Sequence, residues 1–176
     1  MRLWAVLVTG LTALTGVGAA AAAGKQSESS ALTHCHADER PIYSCRFGAR
    51  IGSLCLGENT LSYRYGPLRR PEIDLRSGPD WSNVRFGQRH SQAFSQIHVR
   101  LARGPYSYVV HFGEAGRLSE VPGKRISGIA VLKDKQTIAD LACRGSALVD
   151  PAPLLRIHEA APIGWEGEDE AFDYYF

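Results

Sequence analysis

From Pro41 onward, apolar and polar residues alternate with a period of two, in short runs broken by Gly, Pro, Asn and Asp. Such runs read as half-buried β-strands separated by turns. They predict strands over Ile42–Phe47, Ile51–Leu56, Thr60–Tyr65, Glu72–Arg76, Phe94–Leu101, Tyr106–Phe112, Ile126–Leu132 and Thr137–Cys143. No segment has a convincing helical period, and Trp81–His90 reads as a polar loop or short helical turn. Ile126–Leu132 is apolar on both faces apart from Ser127, the pattern of a central or doubly covered strand. In Leu61-Ser62-Tyr63-Arg64-Tyr65-Gly66, the residues Leu61, Tyr63 and Tyr65 share one face, expected to meet the core, and Arg64 takes the other.

Two hairpins follow from this patterning. Pairing Leu101 with Tyr106 across Ala102-Arg103-Gly104-Pro105 sets Val99 against Tyr108 and Ile97 against Val110, all on one apolar face. Turning Ile42–Phe47 into Ile51–Leu56 through Gly48-Ala49-Arg50 sets Phe47 against Ser53 and Cys45 against Cys55. Directly opposed positions come close to disulfide distance. That register leans toward Cys45–Cys55 with Cys35–Cys143, and a bridge from Cys45 or Cys55 to Cys143 stays open as the alternative.

The first 23 residues fix how the cysteines are read. Arg2 precedes an uncharged, mostly apolar run from Leu3 that closes in five alanines before Gly24. This is the pattern of a secretory signal peptide, with cleavage expected after Ala23. An uncleaved anchor is disfavoured by the Ala-, Gly- and Thr-rich second half of the run. Removal leaves 153 residues, enough for one domain with a sizeable core. The expected organisation is a signal peptide over 1–23, a flexible Ser- and Ala-rich terminus over 24–40, a β domain over 41–147, and a Pro-rich then acidic-aromatic tail over 148–176. An even set of four cysteines in an exported chain makes disulfides of Cys35, Cys45, Cys55 and Cys143.

Charge is unevenly spread. Residues 24–164 hold 19 bases and 13 acids, a net of +6, whereas 165–176 hold no base and five acids, Glu166, Glu168, Asp169, Glu170 and Asp173. The plain reading is a solvated tail. The sharper one is a tail that occupies a basic groove until a partner displaces it. Phe172, Tyr174 and Phe176 resemble the terminal signal of outer-membrane β-barrels, although the preceding strands are short for a bilayer.

Catalytic motifs are few. His34-Cys35-His36 concentrates metal-ligand types, but adjacent ligands on an extended chain point apart, and no CxxC or HxxxH accompanies them. No GxSxG elbow, phosphate loop, dinucleotide fingerprint or spaced carboxylate pair is present. We expect neither metal nor cofactor. Arg64, His98, Arg100 and His111 are the candidate binding surface, a polar sheet face for an anion or acidic partner, with histidines titrating near neutral pH.

Cys45 with Cys55, Leu61–Gly66, Tyr106-Ser107-Tyr108-Val109-Val110, and Gly128–Leu132 leading to Cys143 resemble a loose set of small exported proteobacterial proteins. In these a Ser-x-Cys strand precedes a Leu-x-Tyr-Arg-x-Gly strand and a Tyr-x-Tyr strand. The resemblance covers about Pro41–Arg144 and implies an exported β-protein, without an activity. Tyr43-Ser44-Cys45 and Cys143 more faintly resemble periplasmic inhibitors of c-type lysozyme, small disulfide-tied β-barrels. Arg76-Ser77-Gly78 is the nearest match to their Ser-Gly inhibitory loop and carries no role across. The expected protein is all-β, an antiparallel meander of about eight strands closing into a disulfide-tied barrel or sandwich. It is periplasmic or secreted, and its expected role is non-enzymatic binding or association with the envelope. A small periplasmic hydrolase, a small outer-membrane β-barrel and a lysozyme-inhibitor-like protein are the alternatives. The expected partner is a protein or envelope component, not nucleic acid; contact with a membrane is open but not the expectation.

Overall fold

A computed structural model describes residues 32–160 and 164–165. The signal-like segment, residues 24–31 and the acidic-aromatic tail lie outside the described residues. The strands β1 (Arg40–Phe47), β2 (Arg50–Leu56), β3 (Leu61–Pro67) and β4 (Ile73–Arg76) form an antiparallel meander. The two-residue strand β10 (Leu148–Val149) extends it beside β1. A second sheet is the meander β5 (Val84–His90), β6 (Phe94–Arg103), β7 (Tyr106–Ala115), β8 (Arg125–Lys133) and β9 (Gln136–Ala142). The short strand β11 (Gly164–Trp165) runs parallel to β5 at its edge. The two sheets are separate and open, so among the described residues the architecture is sandwich-like and no barrel closes.

The inner faces meet through the alternation read from the sequence. Tyr43, Leu54, Leu61, Tyr63 and Leu75 pack against Phe86, Val99, Leu101, Val110, Phe112 and Ile129. Aromatic contacts join the layers, with ring centroids 6.2 Å apart for Tyr43–Phe112 and 5.4 Å for Tyr63–Tyr108. As expected, β8 is internal to its sheet, with Ile129 in the core and Ala130 and Leu132 buried on the other face.

Both hairpins are tighter than expected. Arg103 pairs with Tyr106, leaving Gly104-Pro105 as the turn with Gly104 at φ 58°, so Leu101 opposes Tyr108 rather than Tyr106. The difference is two residues, so every side chain keeps its predicted face. In the first hairpin Phe47 pairs with Arg50 around Gly48-Ala49, with Gly48 at φ 66°. Cys45 then opposes Gly52, and an irregularity between Pro41 and Tyr43 sets Cys55 against Pro41. The two cysteines fall on opposite faces of the sheet, which corrects the Cys45–Cys55 and Cys35–Cys143 pairing. The bridges are Cys35–Cys55 and Cys45–Cys143, the second matching the alternative in which Cys45 reaches Cys143. Cys45 points into the core and ties the first sheet to the end of β9 in the second.

Besides the two-residue strands β10 and β11, two longer elements were not foreseen. Trp81–His90 contains β5, whose core face carries only Val84 and Phe86, too few apolar positions to reveal a strand. The Pro-rich stretch holds a helix, α1 (Ala152–Ala160). Pro153 sits in its first turn, where no intrahelical N–H is required, and Leu154 and Ile157 bury one side against the core.

Of the terminus expected to be flexible, residues 32–39 lie across the outer face of the first sheet. The Cys35–Cys55 bridge, His34 N–H donating to Ser53 Oγ at 3.0 Å and Ser44 Oγ donating to Leu32 O at 2.7 Å hold the segment there. Arg64 lies beneath it, 1% exposed. Its Nη2 donates to Glu39 Oε1 at 2.9 Å, and its Nε stands 3.3 Å from Asp74 Oδ1. Burial by itself raises the Glu39 pKa, but hydrogen bonds from Arg64 and the His36 N–H outweigh it and hold it at about 2.

Three measurements check this architecture. A non-reducing digest yields peptides joining Cys35 to Cys55 and Cys45 to Cys143. In urea unfolding, Cys45→Ala with Cys143→Ala costs about 4–5 kcal/mol, and Cys35→Ala with Cys55→Ala about 3 kcal/mol, because the first pair closes the longer loop. Glu39 has a depressed folded pKa, so its contribution is complete above its unfolded value near 4.5 and is lost as pH falls toward 2. That contribution is about 2 kcal/mol. Glu39→Gln abolishes this part of the acid dependence and destabilises the protein at pH 7, both read from unfolding curves at stepped pH.

Candidate functional site: the outer face of the second sheet

Ile97, Val99 and Leu101 face the core from β6, so Gln96, His98 and Arg100 face outward. Register carries this face across neighbouring strands. Arg85 opposes Arg100, Gly87 opposes His98 and Arg89 opposes Gln96 on β5. On β7, Val109 opposes Arg100 and His111 opposes His98, and on β8 Gly128 opposes His111. The central row therefore reads Gly87, His98, His111, Gly128. Its glycines make room for the rings. A Cβ on Gly87 would lie 2.1 Å from His98 Cε1, and one on Gly128 would lie 2.7 Å from His111 Nε2. His98 thus lies over β5 and His111 over β8.

The next row sets two arginines directly opposite one another, an arrangement that is unfavourable unless an anion or carboxylate serves them. Arg85 Nη1 donates to the carbonyls of Ser82 and Val84, at 2.9 and 3.0 Å. A recess of about 200 Å³ opens beside the pair, lined by Arg85, Arg100, Lys135, Ser82, Asn83 and Ser107 together with Ala102 and Leu132. Lys135 reaches its rim from the Asp134-Lys135 turn between β8 and β9, both residues having positive φ. Among the described residues the recess has three cations, two hydroxyls and an amide, and no carboxylate. This donor set suits a carboxylate or another small anion.

Although turned away from the sandwich core, this face is buried. His98 and Gln96 are fully buried, and His111 and Arg100 retain 4% and 9% exposure. Beyond them, Val109, Ala130 and Leu132 form a second buried apolar cluster. Burial drives the His111 pKa down to about 4, aided by His98 and opposed by Asp140. His111 is therefore neutral at physiological pH, which corrects its expected titration near neutrality.

The predicted surface divides. His98, Arg100 and His111 share this face, but Arg64 belongs to the first sheet and lies beneath the N-terminal segment, so it is removed from the proposed surface. Arg64 is outward-facing as the alternation implied. What the alternation could not give was which of two sheets each outward residue occupies. Arg85, Arg89 and Lys135 were missed because β5 was not recognised as a strand and the Lys135 turn was not placed.

Other candidate chemistry is structurally engaged. The ligand-type atoms of Cys35, Glu39 and Cys55 gather within 4.8 Å, but both sulfurs form a disulfide and Glu39 is held by Arg64. His34 is buried with Nε2 3.1 Å from Gly66 O. Ser77 of Arg76-Ser77-Gly78 is buried, its hydroxyl accepting the Leu61 N–H at 3.0 Å, so it is not presented as a loop tip. No helix among the described residues is long and apolar enough to cross a membrane. No family model, curated protein or solved structure matches the chain.

The His111 environment makes a separable acid prediction. Between about pH 6.5 and 4 the unfolded chain binds a proton that folded His111 refuses, so stability falls by about 3 kcal/mol as pH drops through that window. NMR titration places the His111 midpoint near 4, and His111→Gln removes the corresponding segment of the stability–pH curve.

Proposed function

We propose that this protein is an exported, non-enzymatic binding module that takes an acidic segment of a protein or envelope component against the outer face of its second sheet. The observation that carries this reading is the recess where Arg85 and Arg100 oppose each other with Lys135 at the rim. A carboxylate entering there meets charge-assisted donors, with Arg85 held in place by the carbonyls of Ser82 and Val84. Export to the periplasm or beyond is supported by the basic start, apolar run and small-residue end of the first 23 residues, and by two disulfides of the kind an oxidising compartment permits. With all four cysteines bridged, none offers a thiolate nucleophile, which favours binding over thiol chemistry.

The reading is checked by fluorescence anisotropy with a labelled glutamate-rich peptide of about ten residues. Affinity should fall steeply with added salt. Arg85→Gln and Lys135→Gln should each weaken binding about tenfold, equivalent to ~1.4 kcal/mol, with little change in melting temperature. Affinity unchanged in both variants would remove the recess as the recognition site.

A further inference from the structure

We infer that the chain's own acidic-aromatic C-terminus, residues 166–176, is the resident occupant of this outer face, an internal ligand that a partner must displace. The inference rests on the reading of the face as acid-binding, and goes beyond it by naming what fills it first.

Four observations carry it. The last described strand, β11, ends at the site. Gly164 pairs with Arg85, and a Cβ there would lie 3.1 Å from Arg85 Nε, so the chain reaches Trp165 alongside the basic row. Continuing the strand at its period of two would bring Glu166 next onto the face of Gly164 and Arg85. Second, the order of chemistry along the tail matches the order across the sheet. The five acids come first, where Arg85, Arg89 and Arg100 lie on β5 and β6. Phe172, Tyr174 and Phe176 follow, and Val109, Ala130 and Leu132 lie farther on, over β7 and β8. Crossing from the β5 edge to β8 spans about 15–20 Å at ordinary strand spacing, and eleven residues extend to roughly 36 Å.

Third, the face is buried despite pointing away from the core, with His98 and Gln96 fully covered. Fourth, the other sheet of the same molecule solves the same problem with the other terminus. There residues 32–39 lie over outward-facing Arg64 and supply Glu39 to it. A carboxylate-bearing terminal segment laid over an arginine-bearing sheet face is therefore a device this fold already contains. The two covers differ in attachment. The N-terminal one is fixed by Cys35–Cys55, whereas the four cysteines are all bridged elsewhere and leave none for the tail. Non-covalent attachment is what allows exchange with a partner.

The test compares the full oxidised chain with a full-length variant carrying Glu166→Gln, Glu168→Gln, Asp169→Asn, Glu170→Gln and Asp173→Asn. Two readouts are taken: the NMR ring signals of His98 and His111, and anisotropy of a labelled synthetic peptide of residues 164–176. Occupancy predicts that neutralisation shifts the ring signals, and that the peptide binds the variant at least tenfold more tightly than the unaltered protein. Ring signals unchanged by neutralisation would overturn the inference, as would signals that depend on protein concentration, which assign the cover to a second copy. Equal peptide affinity for both proteins, abolished by Arg85→Gln, would also overturn self-occupancy while leaving the acid-binding reading intact. Shifted ring signals with no peptide binding to either protein would support the tail as cover and overturn the recognition of external partners.

Discussion

A guanidinium that loses its water has to be given a carboxylate, and Arg64 organises one side of this molecule around that requirement. Leaving such a charge buried and unpaired costs several kcal/mol. The N-terminal segment answers by bringing Glu39 onto Arg64, with Asp74 on the neighbouring strand as a second anion. Much follows from that pairing. The segment must lie flat across the sheet, which sets Cys35 beside Cys55 and turns His34 inward. Cys45, on the opposite face, is left to reach through the core to Cys143. The disulfide pattern is thus a consequence of which sheet face each cysteine occupies, and that is set by the two-residue turn of the first hairpin, which places Cys45 against Gly52, three residues from Cys55.

This explains what could be read from the residues and what could not. Alternation located eight strands because their inner faces carry the core, and a register error of two residues in β6–β7 did no harm since parity was preserved. An error of odd parity in β1–β2 misassigned both bridges. Strand β5 escaped notice for a reason tied to its role. Its outward residues, Arg85, Gly87 and Arg89, belong to the candidate surface, and they dilute the apolar signal that would have announced a strand. The glycines opposite His98 and His111 are legible only once the register is known, since nothing in the sequence marks Gly87 or Gly128 as places where an imidazole lies down.

The candidate surface was partly legible for the same reason. Outward positions on one hairpin stay together under any register of correct parity, so His98, Arg100 and His111 were grouped correctly from alternation alone. Arg64 was grouped with them because a single strand says which side a residue faces, without saying of which sheet. In a two-sheet sandwich there are two outer faces, and they point in opposite directions.

Both outer faces carry arginine, and both hold buried polar side chains. That is unusual economy for an antiparallel sandwich, whose outer faces are ordinarily left to solvent. Burial gives the polar row of each face a fixed environment, seen in the low pKa values of Glu39 on one face and His111 on the other. The two environments differ in kind. On the first sheet the charges are matched by neighbours within the fold, so the cover is part of the structure. On the second, the described residues bring Arg85, Arg100 and Lys135 around one recess with no carboxylate among its lining. Three cations around a recess with no carboxylate in its described lining favour negative charge, whereas the first sheet's arginine is already matched by Glu39 and Asp74.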